Sequence, residues 1–300
     1  MKIITSVLFI FLSLCVNAQD DLMSLLEDSS KTETGYTTAT FKSTHIMNGH
    51  STERMTEGIL DFRISHRFGT LNSGAYEFFG LDESNIHLSL EYGIFDWLMA
   101  GIGRGSFEKT YDAFAKFSIL RQSTGARVMP VSMSFLTSVA YKSVKITDIS
   151  IPDDFSSRLS YTEQLLIARK MNQWLSFQLS PTLIHYSYVL TESDPANLWA
   201  IGTGGRIRLS KRVSLNAEYY ILADDNPQMF QTVYNPLSIG FDIETGGHVF
   251  QLIFTNSVAM IEKSFIGETT GRWVDGDIHF GFNISRIFKL KDREITRSNY

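Results

Sequence analysis

Along the end of the chain, hydrophobic and polar side chains alternate one for one. From Asp277 to Phe288, Ile278, Phe280, Phe282 and Ile284 share one parity, and His279, Gly281, Asn283 and Ser285 share the other. Successive side chains of a strand point to opposite faces, so this rhythm predicts a strand with one greasy and one polar side. Alternation and turn residues predict eleven more, giving strands at 58–68, 85–93, 96–104, 111–121, 127–141, 157–170, 174–189, 197–209, 212–222, 237–244, 248–256 and 277–288. The count is even, and the connections between these segments run long and short by turns, from the long 69–84 to the short 94–95 and onward. That is the habit of a bacterial membrane barrel, with short periplasmic turns and longer outer loops. The fold class expected is all-β: a transmembrane antiparallel up-and-down β-barrel of about 12 strands over 58–288. Counting 36–45 as a further wall strand would make the number odd, so 19–57 is assigned to an N-terminal periplasmic or lumen-lining segment. Within it, Asp20–Glu27 reads as a turn or two of amphipathic helix, too short to stand alone. Residues 289–300 are a tail.

The start of the chain adds a destination. Lys2, an apolar run from Ile3 to Val16 and the small Ala18 have the three parts of a secretory signal, 1–18, with an apolar stretch too short to cross a membrane as a helix. Cys15 invites a lipoprotein reading, but the bulky Leu14 sits where that processing wants a small residue. A cut before Gln19 removes the only cysteine, leaving backbone pairing and packing to stabilise the mature protein. The expected location is the outer membrane of a Gram-negative bacterium. The net charge of −5 argues against a nucleic-acid partner, which would want a basic face. Abundant Phe (22) and Tyr (12) fit the aromatic girdles of a barrel in lipid.

The polar parity supplies the candidate chemistry. In 58–68, Leu60, Phe62 and Ile64 oppose Asp61, Arg63, Ser65 and Arg67; in 212–222, Val213, Leu215, Ala217 and Ile221 oppose Ser214, Asn216, Glu218 and Tyr220. The segment 157–170 gives no clear face, because Glu163 shares a parity with Leu159 and Leu165. Read this way, Asp61, Arg63, Arg67, Glu91, Arg104, Asp112, Lys116, Arg206, Arg208, Glu218, Asp242 and Glu244 are lumen-lining candidates. Mixed charges in so narrow a barrel either mark a path or binding site for a small polar solute, or pair with one another and fill it.

Two other constellations invite chemistry. His185 and Ser187 share the outward parity of Leu175, Phe177, Leu179 and Leu183, which would set a His and a Ser on the lipid-facing surface. This resembles the outer-membrane phospholipase family, also twelve-stranded, whose nucleophilic serine and histidine lie on the outer face. Here Ser187 is followed by Tyr188-Val189 and not by that family's Asn-Gly, and the nearest later Asn is Asn197. The plainer reading puts both at the aromatic belt with Tyr186 and Tyr188. His45, His50 and Glu53 around Asn48-Gly49 raise a metal, as does His66, but a polar loop with two histidines is ordinary, and no metal, cofactor or catalytic residue is assigned. Gly101-Ile102-Gly103 lacks a following helix and makes no nucleotide cradle.

The run Ala39-Thr-Phe-Lys-Ser-Thr-His-Ile-Met-Asn-Gly-His-Ser51, with Leu60-Asp-Phe-Arg-Ile-Ser-His-Arg-Phe-Gly69 and Gly93-Ile-Phe-Asp-Trp-Leu98, resembles an uncharacterised family of outer-membrane β-barrel proteins typical of Bacteroidetes-type bacteria. The resemblance covers the mature chain and implies a barrel with outer-membrane lipid as partner, but brings no activity. Three functions stand open: a narrow channel or small-solute binding barrel, a closed structural barrel presenting its loops at 69–84, 142–156, 223–236 and 257–276, and an outer-membrane lipid hydrolase using His185 and Ser187. A TonB-dependent transporter would need a far longer chain.

Overall fold

The computed structural model describes residues 33–145, 154–189, 194–223 and 232–291; the expected signal sequence at 1–18 and the expected helix at 20–27 lie outside them. The strands are β1 (Thr34–Tyr36), β2 (Ile59–Thr70), β3 (Ser84–Phe95), β4 (Leu98–Gly105), β5 (Thr110–Leu120), β6 (Ser123–Gly125) and β7 (Ser132–Lys142). They continue with β8 (Leu159–Lys170), β9 (Leu175–Tyr186), β10 (Asn197–Arg208), β11 (Val213–Leu222), β12 (Leu237–Thr245), β13 (His248–Thr255) and β14 (His279–Lys289). All except β1 and β6 pair with their neighbours in sequence order to form a closed antiparallel barrel of twelve strands. The seam is β14 on β2, with Phe282 opposite His66 and Ile284 opposite Ile64. Closure leaves the wall no free edge, which lipid would not tolerate.

The alternation in sequence becomes inside and outside. In β2, Asp61, Arg63, Ser65 and Arg67 are buried within the barrel, while Leu60, Phe62 and Ile64 are only partly covered. Leu88, Leu90, Ile102, Trp199, Ile201, Phe241, Leu252 and Phe254 are among the exposed side chains of the outer belt. Toward the rim of the short turns, Trp97 lies between Phe95 and Phe117, 5.5 and 6.3 Å from them between ring centres, a piece of the aromatic girdle. The strand without a clear sequence pattern resolves as well. In β8, Ser160, Thr162, Gln164, Leu166 and Ala168 are buried inside, so Glu163 faces outward, where its Oε1 accepts from Thr137 Oγ1 at 2.8 Å. A carboxylate on the greasy side, partnered by an outward threonine, is what blurred the alternation.

The connections depart from the long-and-short expectation in one place. The outer link between β4 and β5 spans only 106–109, whereas the periplasmic link from β5 to β7 runs over 121–131. The strand expected to begin at 127 begins at Ser132, because the longer link folds back as β6 and pairs with β1, Tyr36 opposite Ser123. That pairing also fixes where the N-terminal segment enters: at the end of the barrel carrying the periplasmic turns.

From there the chain turns into the lumen. Thr40, Phe41, Ser43, Thr44, Ile46–Asn48 and His50–Thr52 are buried, in a hairpin closed by Ile46 N–H donating to Gly49 O (2.8 Å) and Ser51 N–H to Thr44 O (2.9 Å). This is the inner stopper, or plug. From the opposite end, the link between β13 and β14 folds inward and forms the short helix α1 (Glu262–Gly267), whose six residues are all buried. Phe265 and Ile266 are fully buried in a cluster with Ile184, Leu198, Ala200, Tyr220 and Leu222. The outer half of the lumen therefore has a greasy inward patch on β9–β11, an exception to the polar-inside parity, and α1 covers it as a lid.

Candidate functional site

The site is the junction of plug, wall and lid. The hairpin tip presents three consecutive amides that no strand partner satisfies, and the carboxylate of Glu218 on β11 takes them: Asn48 N–H at 2.7 Å, Gly49 N–H at 3.1 Å and Met47 N–H at 3.3 Å. Position 49 has to be glycine, since a Cβ there would lie 2.2 Å from the Tyr220 hydroxyl. The wall makes room in the same way at Gly204, where a Cβ would meet Ile46 Cδ1 at 2.3 Å. Around the tip, Arg67 Nη2 donates to Asn48 Oδ1 (2.6 Å), Asn283 Nδ2 to Met47 O (2.9 Å) and Gln251 Nε2 to Ile46 O (2.8 Å).

Lower down, each leg has its own fastening. Glu91 accepts Thr44 Oγ1 at 2.7 Å and lies 2.8 Å from His45 Nε2. Lys116 Nζ reaches the carbonyls of Glu53 (2.6 Å), Ser51 (3.1 Å) and Thr44 (3.3 Å), and Gln178 both accepts Thr52 N–H and donates to His50 O. Arg63 Nη2 donates to Ser43 Oγ (2.7 Å), and Arg206 Nη1 to Ala39 O (3.0 Å). Near the periplasmic mouth Lys42 pairs with Glu244. Seven of the twelve sequence candidates thus hold the plug: Arg63, Arg67, Glu91, Lys116, Arg206, Glu218 and Glu244.

The remaining five divide. Asp61 and Asp242 are buried inward but bond within the wall, to Ser285 Oγ (2.7 Å) and Gln251 Nε2 (2.8 Å); Asp112 pairs with His87 at 2.7 Å. Arg208 sits at the mouth, its Nε donating to Ser210 O. Arg104 is a correction. The inward positions of β4 are Met99, Gly101 and Gly103, so Arg104 points out of the barrel, its guanidinium 5.3 Å from the Tyr111 ring centre. With glycines inside and Ala100 outside, β4 carries too little alternation to assign a face from sequence. The neutral Gln178, Gln251 and Asn283 matter as much as the charges, and their signal was in the sequence: each stands at an inward parity of its strand.

Where the stoppers meet, Glu262 Oε1 of the lid lies 3.4 Å from His50 Nε2 of the plug. The space left between them and the wall is a polar cavity of about 30 Å³, lined by His45, His87, Glu91, Arg63 and Arg67 among others. That is room for roughly two waters and no solute. Burial pushes the Glu262 carboxyl up to about 7, with Asp112 and Glu91 acting in the same direction against its backbone hydrogen bond. Burial, and then neighbouring His45, holds His50 well below the usual histidine value. Below about pH 7 the pair therefore meets in its neutral form. Lys263, next along α1, is fastened to Glu108 and Glu268, each at 2.9 Å.

The other constellations fall as follows. His185 and Ser187 are both exposed on the outer surface at the end of β9, and His185 Nδ1 lies 2.8 Å from Asn197 Oδ1. Glu53 does not join His45 and His50; its Oε1 accepts the amides of Thr40 and Phe41 instead. His66 turns to the lipid side, stacked on Phe282 and bonded to Ser84 Oγ. Among the described residues no group of three or more His, Cys, Asp or Glu side chains is placed to hold a metal ion.

A closed even-stranded barrel with a greasy outer belt and a polar, stoppered lumen is an integral barrel of the bacterial outer membrane. The chain belongs to a family of membrane-bound β-barrel domains, DUF5777, whose model matches residues 41–288 and so begins within the plug. No sequence among curated proteins matches it. Similar solved structures include the NanC porin, at 8% identity over 78% of this chain and 100% of that one, with a TM-score of 0.47. An outer membrane channel from Pseudomonas putida F1 matches at 10% identity over 79% of this chain and 97% of that one, TM-score 0.47, and the KdgM porin at 8% over 77% and 99%, TM-score 0.45.

Two outcomes follow from the junction. Replacing Glu218 by Leu strands the tip amides at a cost of about 3 kcal/mol, so hydrogen exchange at 47–49 should lose roughly a hundredfold of its protection. Because Glu262 has its carboxyl raised from 4.5 to about 7, the lid's seat is at full strength below the ordinary carboxylate value and is lost as pH rises through about 7. Exchange of the 260–267 amides, corrected for intrinsic rates, should therefore speed up between about pH 4.5 and 7 in the native protein, level off above that, and stay flat in Glu262→Gln.

Proposed function

We propose that the protein is a gated outer-membrane channel for small polar solutes, closed at rest by the N-terminal hairpin from the periplasmic side and by the β13–β14 link from outside. The observation that carries this reading is how the plug is held: by hydrogen bonds and charged contacts from wall residues to the backbone and polar side chains of 39–53. Those contacts can be exchanged for water or a polar solute at little net cost, because each wall group keeps a partner whether the plug is in or out. The apolar part of the plug's seat is small, Phe41, Ile46 and Met47 on Ala168 and Ile253, against the larger cluster that seats α1. The wall that remains once the plug leaves carries both signs of charge, which suits small polar solutes more than a strongly selected ion.

The test is conductance in planar bilayers. The full chain should be nearly silent. A variant lacking 33–52 and carrying Phe265→Ser and Ile266→Ser, which unseat the lid, should give discrete steps. Silence from that variant, once a heat-dependent gel shift has shown its barrel folded, selects the closed surface-presenting barrel instead.

A second reading has one observation in its favour, the 2.8 Å contact that sets Asn197 behind His185 on the lipid-facing surface, with Ser187 two residues along the same face. A histidine oriented by a third group beside a serine is the arrangement of a hydrolase acting on lipid. Phospholipid hydrolysis by the purified protein, abolished in Ser187→Ala and reduced in Asn197→Ala, would establish it; release of no fatty acid from mixed vesicles disposes of it.

A further inference from the structure

At the periplasmic rim, between the foot of the plug and the link from β5 to β7, lies a hollow of about 220 Å³. Three arginines line it, Arg54, Arg121 and Arg127, with one acidic residue, Asp96. Arg54 donates through Nε to the backbone carbonyl of Asp96, and the Arg121 guanidinium lies 4.2 Å from the ring centre of Tyr36. Among the described residues none of the three arginines forms an ion pair with a carboxylate. The hollow thus sets three arginines against one lining carboxylate, and burial, then the neighbouring Arg121, lowers the ordinary value of Arg54 against the opposing pull of Glu53 and Asp96.

Its position says what meets that charge. Trp97, also in the lining, is 53% exposed in the aromatic girdle with Phe95 and Phe117, and Ile119 beside it is 51% exposed on the outward face. The hollow therefore opens where the greasy belt ends and the headgroups of the periplasmic leaflet begin. Guanidinium groups match phosphate oxygens in geometry as well as charge, and Arg121 is already oriented by stacking on Tyr36.

We propose that this hollow binds the phosphate of an anionic phospholipid of the periplasmic leaflet, through Arg54, Arg121 and Arg127. Tyr36 precedes the plug and Arg54 follows it, while Arg121 and Arg127 belong to the wall link, so the bound phosphate ties both legs of the plug to the barrel. The shared chemistry is a phosphate anion, which the lipid or the periplasmic solution can supply.

The test is native mass spectrometry of the full-length protein in detergent, after incubation with phosphatidylglycerol, phosphatidylcholine or inorganic phosphate. Phosphatidylglycerol should be retained about fivefold or more over phosphatidylcholine, and retention should fall at least about tenfold in Arg121→Gln/Arg127→Gln. Arg104→Gln, which removes an outward arginine at the opposite rim, should bind as the native protein does. Retention of inorganic phosphate in place of lipid, with the same loss in the double variant, keeps the anion site and assigns its occupant to the soluble phase. Equal retention of the two lipids, or retention of phosphatidylglycerol undiminished in the double variant, overturns the proposal. Binding is read without any conductance, so its failure leaves the channel reading untouched.

Discussion

The structure depends on one constraint: in lipid, a strand's amides and carbonyls must all find partners within the protein. Twelve strands satisfy it by closing the ring from β14 to β2. Once the ring closes, the rest is forced. Side chains of one parity meet hydrocarbon and must be greasy, and those of the other face a space too narrow for a wide aqueous channel and too large to be filled by wall side chains alone. Because the inward set here includes Arg63, Arg67, Lys116, Glu91 and Glu218, that space has to hold polar matter. Backbone is polar matter with donors and acceptors in a fixed pattern, and the hairpin at 45–50 delivers it.

This explains why so few of the inward charges pair with each other. Arg63 and Arg67 do not close on Glu91 or Glu218; each of the four instead takes a group of the plug. A lumen of wall-to-wall ion pairs would be a finished core. A lumen whose charges are satisfied by a separate stretch of chain depends on where that stretch is.

The wall was legible in the sequence because its cause is periodic. Alternation placed all twelve wall strands, and parity alone put 36–45 off the wall. Its failures were local and physical: Glu163 put a charge on the greasy face, the glycines of β4 removed the contrast that would have turned Arg104 outward, and β6 lengthened a periplasmic turn to pair with β1. The site was less legible. Which inward residue meets the plug depends on how the hairpin lies in the lumen, and no period in 38–57 encodes that. The Glu218 contact to three amides joins residues about 170 positions apart, and only the folded ring makes them neighbours. The lid was invisible for a related reason: the inward Ile184, Leu198 and Leu222 look like ordinary strand residues until Phe265 and Ile266 are seen upon them.

The two stoppers are seated by the same two kinds of force in different proportion. The inner one rests mainly on polar and charged contacts, with Phe41, Ile46 and Met47 on Ala168 and Ile253 as a small greasy foothold, and dissolved ions weaken the charged contacts where water reaches them. The outer one rests on an oily seat, whose grip fades on cooling, and adds the ion pairs of Lys263 with Glu108 and Glu268. The inner end of the lumen is therefore the more sensitive to dissolved salt and the outer end the more sensitive to cooling, and since the tip at His50 touches Glu262, neither end can shift without the other feeling it.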